Sequence, residues 1–455
     1  MAVAATVEQI PLKVLVDEEK NRVVYVEAGK DFVDVLLSFL TLPLGTIARL
    51  VGKESNMNKV SVGSLSSLYD SVANVENKHF WTDACKQMLL HPRNSMESHC
   101  QSLKLNIDDT EKTHYFICQS LNCAFQHSGG LLTTFKDQTC KCGKLMNKVV
   151  HFDSSLIASE GFVPDMATFI ITDELKVTPS NFHVSCLPLN HGYENMDALK
   201  LIVDLLKCSL LSPTPLTDVL LTKKQHSRKD SPPGTEWNFD FDIGEADANE
   251  QSQMMNVKVI VRKSEESVLF ALAEEDFVDF LFSFLTLPLG GVEHMFNGDS
   301  CLGSIDNLYK SVPDLDNSYL RSPYIKDMLL KTSLACQFKL RNKILPMSYL
   351  DPQSSNYEIY SKNGGRRFVG KPSLFMVTDD LVVTPSSSIS AISYVAKLGV
   401  PSSDLEEIVI KIGQKEGLCL LKACLITSST NSLNSMITLV RTEEKSPKVM
   451  YLTYN

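Results

Sequence analysis

The stretch SFLTLPLG spans Ser38 to Gly45 and returns letter for letter from Ser283 to Gly290, an offset of 283 − 38 = 245 residues. The correspondence extends outward. KVLV at Lys13–Val16 answers KVIV at Lys258–Val261, and DFVD at Asp31–Asp34 recurs at Asp276–Asp279, both at 245. SLY at Ser67–Tyr69 answers NLY at Asn307–Tyr309 at 240, and FIITDELKVTPS at Phe169–Ser180 answers FMVTDDLVVTPS at Phe375–Ser386 at 206. LLK at Leu205–Lys207 pairs with Leu420–Lys422. The order is kept throughout, so the sequence reads as two tandem homologous domains rather than a short solenoid repeat.

Within each copy the pattern alternates between strand and helix periods. KVLV, a polar turn at Asp17–Asn21 and RVVYV read as a β-hairpin. A helix follows from about Asp31, which is placed to cap it, with Phe32, Val35, Leu36, Phe39 and Leu40 on one face. Val33 and Leu37 make it apolar almost all round and therefore central. Further helices are expected near Leu65–Val72 and Thr82–Leu90, and a second hairpin turns at Asp173-Glu174 or Asp379-Asp380. A last helix carries Leu205 and Leu206, or Leu420 and Leu421. The expected fold class is α+β, with hairpins packed on a few helices. In SFLTLPLG the residue before Pro43 is pushed out of the helical region and Pro43 cannot continue a helix. The octapeptide is thus a helix–Pro–helix joint, with Gly45 expected to permit the reversal. No side chain in it is an acid, a base or a charged ligand.

The chain has 455 residues, 44% hydrophobic and 22% charged, enough for more than one buried core. The expected boundaries are a first domain over 1–222, a polar linker over 223–255 and a second domain over 256–455. Trp237, Phe239 and Phe241 inside the linker are expected to dock back onto a domain, the alternative being a short recognition segment. The net charge of −10 disfavours phosphate-driven nucleic-acid binding. The apolar run Val35–Ala48 has 14 residues, short of the about 20 a membrane span needs. No secretory signal is visible at the N-terminus, so a cytoplasmic or nuclear setting is expected, in which the 12 cysteines stay reduced.

FVDVLLSFLTLPLG, VTDDLVVTPSSSIS and LLKACL, with their partners in the other copy, resemble the plant family catalogued as domain of unknown function 674. The resemblance covers nearly the whole chain. It implies a tandem duplicate and carries no activity with it.

One constellation has chemistry. Between the paired positions Asp31 and Asp173 the first copy is 245 − 206 = 39 residues longer than the second. Those residues include an insert at 114–148 with Cys118, Cys123, Cys140 and Cys142 in the pattern C-x4-C-x16-C-x-C, followed by Gly143. Four thiolates suit tetrahedral Zn²⁺, so a small zinc-ribbon-like site is expected. Gly143 would let the backbone fold tightly behind the ligands. Lys141 and Lys144 would offset the charge, and His114 and His127 stand by as substitute ligands. The alternatives are four ordinary buried thiols or redox chemistry. Between Leu330, which answers Leu90, and Asp379 the second copy has only Cys336 and is expected to bind no such metal.

Other motifs fail. Gly45 to Glu54 has six residues between its glycines where a P-loop has four, and Glu54 stands where Ser or Thr would reach Mg²⁺. Asp173-Glu174 and Asp379-Asp380 sit where hairpin turns want Asp. Asn363-Gly-Gly-Arg-Arg367 reads as a hairpin turn before it reads as an anion cradle. No catalytic or cofactor-binding residue is assigned. The expected function is a non-catalytic interaction or scaffold protein with a structural zinc clip and protein partners. The alternative is a small-ligand binder or enzyme with its site between the two copies.

Overall fold

The structure is a computed structural model and describes residues 10–53, 61–120, 122–123, 130–134, 136–140, 142–150, 161–180, 198–222, 254–335, 338, 344–350, 357–359, 367–370, 374–426 and 432–445. The linker stretch 223–253, with Trp237, Phe239 and Phe241, lies outside these residues, as do Asn363–Arg366, Lys141, His127 and Cys336.

The fold is α+β. In the first half β1 (Leu12–Asp17) and β2 (Arg22–Gly29) form the expected hairpin, and α1 (Lys30–Phe39), α2 (Leu44–Gly52), α3 (Leu65–Asn74) and α4 (Asp83–Leu90) follow. The insert carries β3 (Tyr115–Cys118), β4 (Gly130–Leu132), β5 (Gln138–Thr139) and β6 (Leu145–Val150). Then come β7 (Thr168–Thr172), β8 (Val177–Pro179) and α5 (Ala198–Leu211). The second half opens with β9 (Met255–Arg262) and β10 (Ser267–Ala273), so its first strand starts inside the expected linker. Helices α6 (Glu275–Ser283), α7 (Leu289–Met295), α8 (Ile305–Asp314) and α9 (Pro323–Leu330) come next. They are followed by β11 (Leu334–Ala335), β12 (Tyr349–Leu350), β13 (Tyr357–Ile359), β14 (Phe375–Thr378) and β15 (Val383–Pro385). The chain continues through α10 (Ser388–Lys397), β16 (Leu405–Ile412), α11 (Gln414–Ile426) and α12 (Ser432–Lys445).

Each half builds one main antiparallel sheet. The first has the order β1-β2-β7-β8, and the second has the equivalent order β9-β10-β14-β15 with one more edge strand, β16, beside β9. The agreement reaches single residues. The register slips between Leu15 and Val16 opposite Tyr25 and Val23, and it slips again where Ile260 and Val261 face Phe270 and Val268. All four positions are related by 245. The hairpin turns at Asp173 and Asp379 place Leu175 and Leu381 at φ of 61° and 58°.

Two local expectations need correction. Asp31 does not cap α1: the cap position is Gly29, and Asp31 sits in the first turn, 3.3 Å from the Lys104 ammonium. Gly45 does not reverse the chain, because it lies within the first turn of α2. Glycine is required there by proximity, since a Cβ would stand 2.9 Å from the Leu285 carbonyl oxygen. Gly290 mirrors it, with a Cβ 2.9 Å from the Leu40 carbonyl oxygen.

Those contacts show where the octapeptides sit. They face each other. Pro43 and Pro288 form an antiparallel bridge, closed by Leu44 N–H donating to Leu287 O at 2.8 Å and Leu289 N–H to Leu42 O at 3.0 Å. The expected helix–Pro–helix joint is present, with Pro43 and Pro288 preceding α2 and α7.

The same reciprocity runs through the molecule. Ser311 on α8 accepts the Val177 N–H of β8 at 2.9 Å, and Ser71 on α3 accepts the Val383 N–H of β15 at 2.9 Å. Arg321 N–H donates to Phe162 O, and Trp81 N–H donates to Phe368 O. Helices of each half thus lie against the sheet of the other. One continuous apolar core results, drawn from residues between Val23 and Ile437. Among the described residues no helix is long and apolar enough to cross a membrane.

Candidate metal centre

The cysteine-rich insert folds beside the main core. Strands β3, β6 and β5 form a three-stranded sheet in that order, with Phe116 also bridging to Thr133. Ile117, Cys118, Leu132, Cys140 and Met146 make a small apolar cluster of their own. Five buried side chains are few for an independent module, and modules of this size usually need a metal or disulfide to hold them.

The strands bring the four thiols together. Cys118 ends β3, Cys123 follows after a short loop, and Cys140 and Cys142 sit on the turn from β5 to β6. Gly143, at φ 83°, lets that turn close: its N–H reaches Cys140 O at 2.9 Å, and Cys140 N–H reaches Lys144 O at 2.7 Å. All four sulfurs lie within 4.8 Å of one another and form a group that could hold a metal ion. The sulfurs of Cys118 and Cys142 are 3.5 Å apart, and those of Cys123 and Cys140 are 3.7 Å apart. A disulfide needs about 2.05 Å. A tetrahedron with metal–sulfur bonds of about 2.3 Å has edges of about 3.8 Å. The spacing therefore fits a four-thiolate ion and not two disulfides. The exposed His114 stands outside the group.

The thiols differ in acidity. The Lys144 backbone N–H, with the neighbouring Cys123 and Cys118 thiols, lowers Cys142 to about 7. Cys123 is pushed up to about 12 by hydrogen bonding with Cys142 and Cys140. Burial raises Cys118. Cys118 and Cys123 are thus held in the thiol form near neutral pH, and a bound dication would release their protons.

The insert is also tied to the other half. Strand β4 pairs in parallel with β13, matching Gly130 to Tyr357 and Leu132 to Ile359. Nothing in the sequence signals this pairing, since both strands are three residues long and their partners are far apart in the chain.

Two residues of the remaining sequence candidates, Asp173 and Arg367, have structural partners. Asp173 is buried at its turn, where it accepts from Thr217 N–H at 2.9 Å, Thr217 hydroxyl at 2.7 Å and Arg22 Nε at 3.0 Å. Arg367 pairs with Glu275 and Asp276. A cationic cavity beside α2 was not visible in the sequence. Its one sequence signal is Arg49, a charge on a helix whose residues Leu44–Val51 are all buried.

An α+β protein with a four-cysteine module is the class these features define. Residues 6–415 match the model of the family described as Protein of unknown function (DUF674), and the chain belongs to that family. Comparisons with curated proteins and with solved structures found no match.

Proposed function

We propose that the chain is a non-catalytic interaction protein, built by duplication of one α+β unit, whose insert is fastened by a structural Zn²⁺ on Cys118, Cys123, Cys140 and Cys142. The observation that carries this reading is the thiol spacing of 3.5 and 3.7 Å in a set confined within 4.8 Å. Four protein thiolates fill a tetrahedral zinc and leave no position for substrate, so the ion would act as a clip. A cytoplasmic or nuclear setting, where thiols stay reduced, accords with it. Protein partners fit the surface. Ile389 and Ile392 of α10 are 76% and 69% exposed, and Val409 on the edge strand β16 is 60% exposed.

The test is elemental analysis of purified full-length protein, with about one zinc per chain expected. Cys118→Ser should abolish retention, and chelation should raise hydrogen exchange in β3, β5 and β6 while the main sheets stay protected. Metal-free protein with unchanged protection in the insert would overturn the clip. A second reading, a small-ligand site between the halves, is favoured by one observation: a cavity lined by Arg49 of the first half and Phe338 of the second.

A further inference from the structure

A cavity of about 500 Å³ opens beside α2 and α4. Arg49, Lys53, His91 and Arg93 line it together with the apolar Met88 and Phe338. Asp109 and Glu111 are the acids on its wall. Three fixed cations thus face two carboxylates, leaving an excess of one positive charge with His91 neutral. Burial, and then the Arg49 charge, lower the His91 pKa and keep it neutral.

Arg49 is the unusual member. It is only 8% exposed, and Asp109 accepts from its Nη1 and from Lys53 Nζ. Its Nε and Nη2 are buried with no hydrogen-bond partner among the described residues, and the same holds for Nη1 of Arg93. Nε and Nη2 form the side-on edge of a guanidinium, the pair that donates two parallel bonds to a carboxylate or phosphate. Buried donors of this kind are rarely left unmet. An oxyanion that draws the Arg49 guanidinium a short way into the cavity would satisfy both.

The arrangement is not a demand of the shared core. At the paired positions the second half has His294 for Arg49, Lys331 for His91 and Ser333 for Arg93, at offsets of 245, 240 and 240. Packing common to both halves therefore does not explain the arginines.

We propose that this cavity binds a small organic anion, with a phosphate or carboxylate head on Arg49 and Arg93 and an apolar body against Met88 and Phe338. The proposal deepens the reading of a ligand site between the halves and is independent of the zinc clip. A volume of this size suits a metabolite-sized molecule rather than a bare ion.

The test is titration calorimetry on the full-length protein with phenyl phosphate, benzoate and inorganic phosphate at low salt. Saturable one-site binding is expected for phenyl phosphate or benzoate, and the preferred probe identifies the head group. Inorganic phosphate should bind at least about tenfold more weakly than phenyl phosphate. Arg49→Gln and Arg93→Gln should each weaken binding by about tenfold or more. If Arg49→Gln does not fold, Arg93→Gln and Phe338→Ala decide the matter. Absence of saturable heat with all three probes into the millimolar range would overturn the proposal, as would unchanged affinity in the folded variants. Zinc content should be the same in every variant, so this proposal and the clip fail separately.

Discussion

Asp34 and Asp279 occupy the same place in the repeated DFVD, and each is buried within a helix that is apolar nearly all round. Asp34 accepts the backbone N–H groups of Phe162 and Val163 at 2.8 and 3.0 Å, and Asp279 accepts those of Phe368 and Val369 at 2.9 and 2.8 Å. Each carboxylate therefore pins the strand entry that follows the insert interval of its own half. Burial outweighs these bonds and raises Asp34 to about 6 and Asp279 to about 7. Since Asp279 is raised above its unfolded value of 3.8, the stability it contributes is fully present below about pH 4 and is lost as pH rises through about 7. Nearby Arg367 opposes the shift and Asp276 adds to it. Asp279→Asn keeps an oxygen for both N–H groups and removes the titration. Thermal unfolding between pH 5 and 8 should then show a flatter pH dependence than the natural chain, with a relative gain at high pH on the order of 2–4 kcal/mol. The histidines lowered by burial, His91, His99 and His294, titrate alike in both proteins and cancel in the comparison. Parallel curves for variant and natural protein would refute this account of Asp279.

At the scale of elements, the hairpins, α1 and the proline joint were legible because local periodicity and turn chemistry suffice to write them. The cysteine spacing was legible for the same reason, as all four cysteines lie within 25 residues. What stayed hidden depends on distant partners. Gly45 reads as a turn glycine until Leu285 is known to approach it. The Arg49 cavity needs α2, α4 and Phe338 brought together. The helix starts show the same limit. The α3 segment begins after Gly63, at φ 50°, where a Cβ would lie 2.3 Å from the carbonyl oxygen of Cys424 on α11. Gly303 stands likewise before α8, at φ 63° and 2.8 Å from the carbonyl oxygen of Ser209 on α5. Neither close approach has a sequence signature beyond the glycine itself. Gly63→Ala must move backbone as well as adopt a strained φ, and should cost about 2–4 kcal/mol in urea denaturation. Gly52→Ala in α2 meets nothing within 4 Å and should be neutral or slightly stabilising. Equal midpoints for the two variants would show that the α3–α11 approach is not held tightly.

For the whole molecule, the question is whether two halves that share sequence motifs are two folding units in space. The core that the two halves share says they are not separately packed. Each sheet is roofed by a helix from the other half, through the Ser311–Val177 and Ser71–Val383 bonds. The octapeptides close the centre by pairing across Pro43 and Pro288, and the insert reaches over through β4 and β13. Cutting the chain between the halves would expose α6, which packs against α3 and whose Phe282 stacks on Phe80 of the first half at 6.2 Å, together with the Leu285 segment that lies against Gly45. Exposed apolar surface on that scale is a liability for a lone half. The halves 1–222 and 254–455, produced separately, should therefore aggregate or unfold without a cooperative transition. Produced together, they should co-purify at one to one, because every reciprocal contact survives the cut. Far-ultraviolet circular dichroism with thermal melts, and size exclusion of the co-expressed pair, measure this. A first half that melts cooperatively on its own at the midpoint of the full chain would mean that the shared core adds little, and that the pairing of the two SFLTLPLG segments is contact without consequence.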